Sequence, residues 1–435
     1  MDYQAFGVPG RGKLSEAPGG VNSPARSRGE AALRGWHCRA PLWRWPRGAG
    51  LRRWPRGAGL QRWPRAAALC GLLLVGGAAG CAPVPFTIPS VTPGRWTVPL
   101  GDSRNTSSLA EHVPAAVEVE WQTGLGRGLP GMPMVLDDLV IAVVSGGGIA
   151  TASASTGQRY WSRRFNGSVA GQPVRVDDHV YFATQHRDGT VYALEIRRGR
   201  RLWSRHLGAR TAADVAYADG ILYVTTDRGE IAALNARDGS VVWRVRIDAV
   251  AGQAPLVMGD ELIIATVRDT LLRVARDDGA VRARTQVAGA VTAPIVAAGD
   301  TLVLAMAAGI VAAYAERGAR ELWRHELGTA VLAAPVIAAD GVYAVNRRAE
   351  LFRLSAHDAT RIAALGGAVT QSLTATANGF LIGRLDGSLL FLDRDGAQRW
   401  EHRLNGSIRA PTLVRGSSVF ATTLAGRLVK LSGGV

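Results

Sequence analysis

The sequence predicts an all-β fold: an eight-bladed β-propeller of four-stranded antiparallel blades, closed by pairing of its N- and C-terminal strands. Three observations predict it. A tryptophan recurs at Trp121, Trp161, Trp203, Trp243, Trp323 and Trp400, in steps of 40, 42, 40, 80 and 77 residues. A proline opens most units, at Pro133, Pro173, Pro255, Pro294, Pro335 and Pro411, with Ala213 and Leu373 filling the gaps. A polar turn precedes each second strand: Asp137-Asp138, Asp177-Asp178, Asp219-Gly220, Gly259-Asp260, Gly299-Asp300, Asp340-Gly341, Asn378-Gly379 and Gly416-Ser417. A period of about 40 residues with room for four short strands is the spacing of propeller blades.

The clearest unit is IAALNARDGSVVWRVR, from Ile231 to Arg246. Ile231 and Ala233 alternate into Asn235, Asp238-Gly239 marks a turn, and Val241, Val242 and Trp243 open a second run, which reads as strand, turn, strand. One hairpin is marginal alone, so the repeats must stack. The two double steps each hide a degenerate copy, with Ala283 and Ala363 at the tryptophan place. A buried docking tryptophan is worth a few kcal/mol at roughly 25 cal/mol per Å², so the seams at Ala283 and Ala363 are expected to be weaker. The chain enters the repeats at Val117 to Gly124, read as a blade's last strand, and leaves at Leu428 to Leu431, read as a third strand. Joining them removes the unpaired edge that is a sheet's main liability. Residues 116–435 thus form one closed domain.

Composition excludes several functions. Residues 1–80 hold 13 Lys/Arg against 3 Asp/Glu, so 10 of the 16 net positive charges sit there and 6 belong to the remainder. The repeats have no lysine run and no interleaved basic and aromatic stripe, so no nucleic acid is expected as partner. The three cysteines, Cys38, Cys70 and Cys81, all precede the repeats, which excludes a disulfide framework or a thiolate metal site there.

The N-terminus divides into three. Residues 62–81 read as a lipoprotein signal peptide: basic Arg62 to Arg65, an apolar run from Ala66 to Ala79 too short to span a bilayer comfortably, and small residues before Cys81. Ala78-Ala79-Gly80-Cys81 resembles the bacterial lipobox, which implies lipid attachment at Cys81; an ordinary signal peptide or uncleaved anchor is the alternative. By the same resemblance, the lack of aspartate after Cys81 implies the outer membrane, facing the periplasm. Residues 82–115 are rich in Pro, Ser and Thr and read as a tether. Residues 1–61 read as low complexity, with a nine-residue repeat at Trp45 and Trp54 that runs on to Trp63, and a start nearer Leu51 or Leu60 is expected.

The segments YALEIRRGRRLW, AALNARDGSVVW and AAYAERGARELW, ending at Trp203, Trp243 and Trp323, resemble the pyrroloquinoline-quinone-type propeller repeat. Eight copies behind a lipobox resemble the BamB lipoprotein family of the outer-membrane β-barrel assembly machine. That resemblance implies a protein partner, a BamA-like subunit, and a monomeric propeller. Family members carry a Leu-rich SLRG stretch and an Asp-x-Asp loop against that subunit. The corresponding place here reads IDAVAGQAP with one acid, Asp248, so no partner-binding residue is carried over.

Chemistry-bearing constellations are missing from the sequence. Quinone-dependent dehydrogenases share the propeller but need a vicinal cysteine pair, a Ca²⁺ site and an aspartate base, and the mature chain has no such pair. The eight histidines form no ligand pair such as HExxH, no GxSxG elbow occurs, and Ser145-Gly146-Gly147-Gly148 reads as a hairpin turn, not a phosphate loop. No catalytic group, metal or cofactor is therefore expected. One surface pattern stands out: the turn between second and third strands holds Arg187, Arg228, Arg268, Arg347 with Arg348, and Arg384, with Asp188, Asp227, Asp269, Glu350 and Asp386 nearby. These are either solvated charges of mixed sign or a partner-docking face. The function expected is a lipid-anchored scaffold assisting β-barrel assembly, the alternatives being a scaffold of another envelope complex or a relative of the quinone-dependent dehydrogenases.

Overall fold

Short apolar runs between polar turns dictate sheets, and the computed structural model, which describes residues 111–433 apart from 248 and 339, has that form. Among the described residues, eight four-stranded antiparallel sheets make up the propeller ring. Blades I to VII take residues 134–164, 169–206, 216–246, 256–286, 296–326, 336–364 and 373–403. Blade VIII joins Leu413–Arg415, Ser418–Thr422 and Arg427–Ser432 to Glu118–Gly124, which pairs antiparallel with Arg427–Ser432. The predicted closure is thus present, and Lys430 Nζ reaches the Glu120 carboxylate across it at 2.8 Å.

Blade III shows how sequence becomes sheet. Its strands are Ala216–Ala218, Ile221–Thr225, Glu230–Asn235 and Val241–Arg246. Ile231, Ala232, Ala233 and Leu234 are all buried, so no side of the third strand faces solvent. The period of two survives in a different form: Ala232 and Leu234 pack against blade II, Ile231 and Ala233 against blade IV. Strands covered on both faces read as continuous apolar runs. Among the described residues the core is accordingly divided into eight clusters, each lying on the seam between two neighbouring blades.

The tryptophans sit in the fourth, outer strands beside a recurring β-bulge. Trp243 faces Ala233, Trp323 faces Ala313 and Trp400 faces Phe391, and Ala283 keeps this register against Arg273. Ala363 does not. In blade VI the bulge has moved to Leu351/Phe352, Ala363 faces Leu351, and the residue opposite Arg353 is Thr360. Spacing by tryptophan alone could not locate a shifted bulge.

The two seams without tryptophan are filled differently. Seam IV–V packs Tyr314, Met306, Leu271 and Leu302, and seam VI–VII sets Tyr343 against Phe380 with ring centroids 4.5 Å apart. Other expectations shift by a residue or two. Val215, not Ala213, holds the place of Pro255, each directly preceding its first strand, while Pro173 lies inside Val169–Val176. Gly341 and Gly379 already belong to second strands, not to the preceding turns.

Ahead of the ring, the chain docks on blade VII. The Val113 N–H donates to Asn378 Oδ1 at 2.9 Å, the Asn378 amide donates back to the Val113 carbonyl at 2.8 Å, and Val113 itself is buried. Residues from Glu111 onward therefore pack as part of the propeller.

Candidate interaction face and central channel

An antiparallel four-stranded blade puts its second turn and its exit to the next blade at one face, and its first and third turns at the other. The arginine-bearing turns are second turns, so one face presents them. In His186-Arg187-Asp188-Gly189, Thr226-Asp227-Arg228-Gly229 and Thr266-Val267-Arg268-Asp269 the arginine occupies the tip. The Gly229 N–H closes on the Thr226 carbonyl at 3.1 Å, which fixes the tip outward. Arg187, Arg228, Arg268, Arg347 and Arg348 are all exposed, and so is Val267 at 53%.

Arg384 departs from this pattern. It occupies the first position of its turn, the place of Thr226 and Asn346, so its side chain folds back. Nη2 pairs with Glu401 at 2.5 Å and with Asp386 at 3.2 Å, while Nη1 donates to the Leu365 carbonyl at 2.9 Å. It clamps blade VII and is withdrawn from the candidate face. Glu350 likewise turns away from Arg347 and Arg348 to pair with Arg361 at 2.9 Å.

The opposite face carries a device the sequence reading missed. Arginines following third strands reach back to the preceding blade: Arg276 to Asp219 at 2.7 Å, Arg317 to Asp260 at 3.1 Å and Glu261 at 2.9 Å, and Arg394 to Asp340 at 3.7 Å. Arg394 also lies over the Phe380 ring at 5.1 Å. Two of these clasps fall on the seams that lack tryptophan. Glu261 is nearly buried; burial pushes its carboxyl up, but hydrogen bonds from Arg273 and Arg317 outweigh that and hold it below the ordinary glutamate value. The signal was the turn acids used only as a ruler.

Inside the ring lies a cavity of about 570 Å³ lined from every blade. The residues two places ahead of a first strand include Asp214, Ala254, Pro294, Ala334, Gln371 and Pro411, and all six line it. Asp214 is the one ionisable member of these six. A backbone N–H bond from Gln172 supports its carboxylate, and burial, the larger effect, pushes its pKa up to about 6. Gly171 makes room for it: a Cβ there would lie 1.3 Å from Oδ1, and its φ is +60°. Among the described residues no group of three or more His, Cys, Asp or Glu is placed to hold a metal. Cys81, the tether up to residue 110 and Asp248 lie outside the described residues.

A ring of eight four-stranded blades, stitched by outer-strand tryptophans around a cavity lined from every blade, defines the class of pyrroloquinoline-quinone-type propellers. Within that class, a family model described as outer membrane protein assembly factor BamB matches residues 112–210, 187–282 and 268–432, and the chain belongs to that family. BamB of Salmonella typhimurium is 34% identical over 95 residues, which is 20% of this chain and 24% of the relative, so the match spans about a quarter of that protein. The crystal structure of BamB from Moraxella catarrhalis matches with a TM-score of 0.60 at 17% identity, covering 73% of this chain and 100% of that one. Quinohemoprotein alcohol dehydrogenase from Comamonas testosteroni matches at 0.63 and 13% identity, covering 78% and 81%. At such identities both structures speak for the fold alone.

Proposed function

We propose that the chain is a non-catalytic scaffold, lipid-anchored through Cys81 at the periplasmic face of the outer membrane, that assists β-barrel assembly by binding a BamA-like partner. The observation behind this reading is the family match, which runs over 112–432 and so takes in every blade. The exposed arginines at the second-turn face supply a docking surface for an acidic partner, since arginine is a frequent interface anchor. The sequence after Cys81 contains no cysteine, so the vicinal pair expected of a quinone-dependent dehydrogenase has no counterpart.

The test is capture from crosslinked membranes with the full chain as bait. A BamA-like subunit is expected in the eluate and should be lost with Arg187→Glu, Arg228→Glu and Arg268→Glu combined. Its absence from the wild-type eluate overturns the assembly role; its presence with the triple variant overturns the face. Cys81→Ser is expected to move the protein from the membrane to the soluble fraction.

A further inference from the structure

The place occupied by Asp214 holds Ala254, Pro294 and Ala334 in the three blades that follow. A carboxylate at a position of small or apolar residues breaks the repeat, and such breaks are where function is expected. The surroundings have been shaped to keep it. Gly171 lacks the Cβ that would collide with Oδ1, and Gln172 turns its N–H onto the carboxylate. With its amide oxygen and nitrogen assigned by hydrogen bonding, the Gln172 side chain accepts from the Met132 N–H at 2.7 Å and donates to the Met132 carbonyl at 3.3 Å, which holds the residue whose backbone N–H meets Asp214.

What the site lacks is a counter-charge. None of the ion pairs among the described residues includes Asp214. The other ionisable groups lining the cavity are Tyr217, Asp219, Arg276 and Arg409. Asp219 and Arg276 neutralise each other, and Arg409 enters from blade VIII, with blades I and II between it and Asp214. Most of the remaining wall is Val, Leu, Pro and Ala. Asp214 is partly withdrawn from water among these groups, and a carboxylate so placed without a counter-charge gains a partner when a cation enters.

We propose that the central channel binds an organic cation, a guanidinium or primary ammonium group, with Asp214 as its counter-ion. The apolar wall takes the carbon skeleton attached to that head group. The cavity lining includes none of the second-turn arginines, so its test needs no partner protein.

The test is calorimetric titration of the detergent-solubilised full chain at pH 8 with butylguanidinium, its neutral isostere butylurea, and butyrate. Butylguanidinium is expected to bind about tenfold more tightly than butylurea, as one charge-assisted hydrogen bond supplies. Asp214→Asn, which keeps the volume and an acceptor for the Gln172 N–H, is expected to abolish that preference. A blocked Gly-Arg-Gly peptide distinguishes the sources: tighter binding than butylguanidinium identifies a polypeptide side chain as the ligand, weaker binding a free amine. Equal affinity for butylurea, no binding at millimolar concentration, or preference for butyrate overturns the proposal. Thermal shifts of the wild type by cation and isostere give the same discrimination without a variant.

Discussion

The indole N–H of Trp243, in blade III, donates to the main-chain carbonyl of Arg276, in blade IV, at 2.8 Å. The same bond runs from Trp161 to Ile196, from Trp203 to Ala236 and from Trp400 to Pro114, at 2.9, 2.9 and 3.1 Å. Beside Trp323 it is His325 whose Nε2 lies 2.8 Å from the carbonyl of Ser355. The turn glycine of the next blade lies beneath the ring: a Cβ on Gly239 would meet the Trp203 indole at 2.6 Å. A tryptophan here therefore serves as both filler and donor, and Arg276 is held at its carbonyl by Trp243 while its guanidinium returns to Asp219 and Tyr223 of blade III.

Trp243→Phe keeps an aromatic filler and removes the donor. It is expected to lower stability by about 1 kcal/mol. Trp243→Ala loses the ring as well and should cost about 3 kcal/mol, the lower end for a large aromatic because this side chain is only half-buried. Urea midpoints at neutral pH, read by far-UV circular dichroism, check both. Equal effects of the two variants would show that the hydrogen bond, not the ring, secures the seam.

Arg317 binds seam IV–V, where Ala283 replaces tryptophan. Arg317→Ala leaves the nearly buried Glu261 with Arg273 alone, at 3.0 Å, and should cost about 2 kcal/mol. The Glu261 carboxyl is held below its usual value of 4.5, so its contribution is present above that pH and is lost as pH falls through the lower, folded value. Wild type should thus lose more stability than Arg317→Ala between pH 5 and pH 3, measured by thermal unfolding. Parallel curves would contradict the assignment.

Ring size, blade order and closure were legible because they depend on spacing, and spacing is what a 40-residue repeat records in Trp121, Pro255 or Asp260. The clasps were hidden because Arg276, Arg317 and Arg394 act across blades, on acids some 55 residues earlier that served only as turn markers. Ala363 misled because a bulge can slide along a strand pair without altering the repeat length. Arg384 differed from Arg228 by one register position in the turn, and that position decides whether a side chain points outward or back. Asp214 was passed over because the proline gap was assigned to Ala213, which moved the carboxylate out of register with Ala254.

Asn378 anchors the segment ahead of the ring by donating to and accepting from the same residue, Val113. Asn378→Asp keeps the acceptor and places a carboxylate against the Val113 carbonyl; Asn378→Ala loses both bonds. Each should cost about 1–2 kcal/mol, confined to this segment because Glu118–Gly124 remains paired with Arg427–Ser432. Limited proteolysis followed by mass spectrometry is expected to show faster cleavage ahead of Glu118 with an intact core. Global unfolding at the same rate would mean the segment is integral to closure.

Gly171 and Asp214 should behave as one unit. Gly171→Ala introduces a Cβ where Oδ1 now sits, at a φ of +60°, and is expected to destabilise by about 3 kcal/mol or more. Asp214→Ala removes the obstacle, so the double variant should be less damaged than the sum of the singles, with the backbone cost of about 1 kcal/mol remaining. The pH dependence runs opposite to that of Glu261. Burial raises the Asp214 pKa from 3.8 to about 6, so the fold favours its protonated form, and stability falls as pH rises from about 4 to about 6. A shift of this size corresponds to about 2–3 kcal/mol. Asp214→Asn cannot ionise and should therefore be more stable than wild type at pH 8 by that amount, with the two converging near pH 4. Subtracting the urea midpoints of the two proteins across this range isolates Asp214 from the other carboxylates, and a flat difference would mean that its carboxyl meets as much water in the channel as in the unfolded chain.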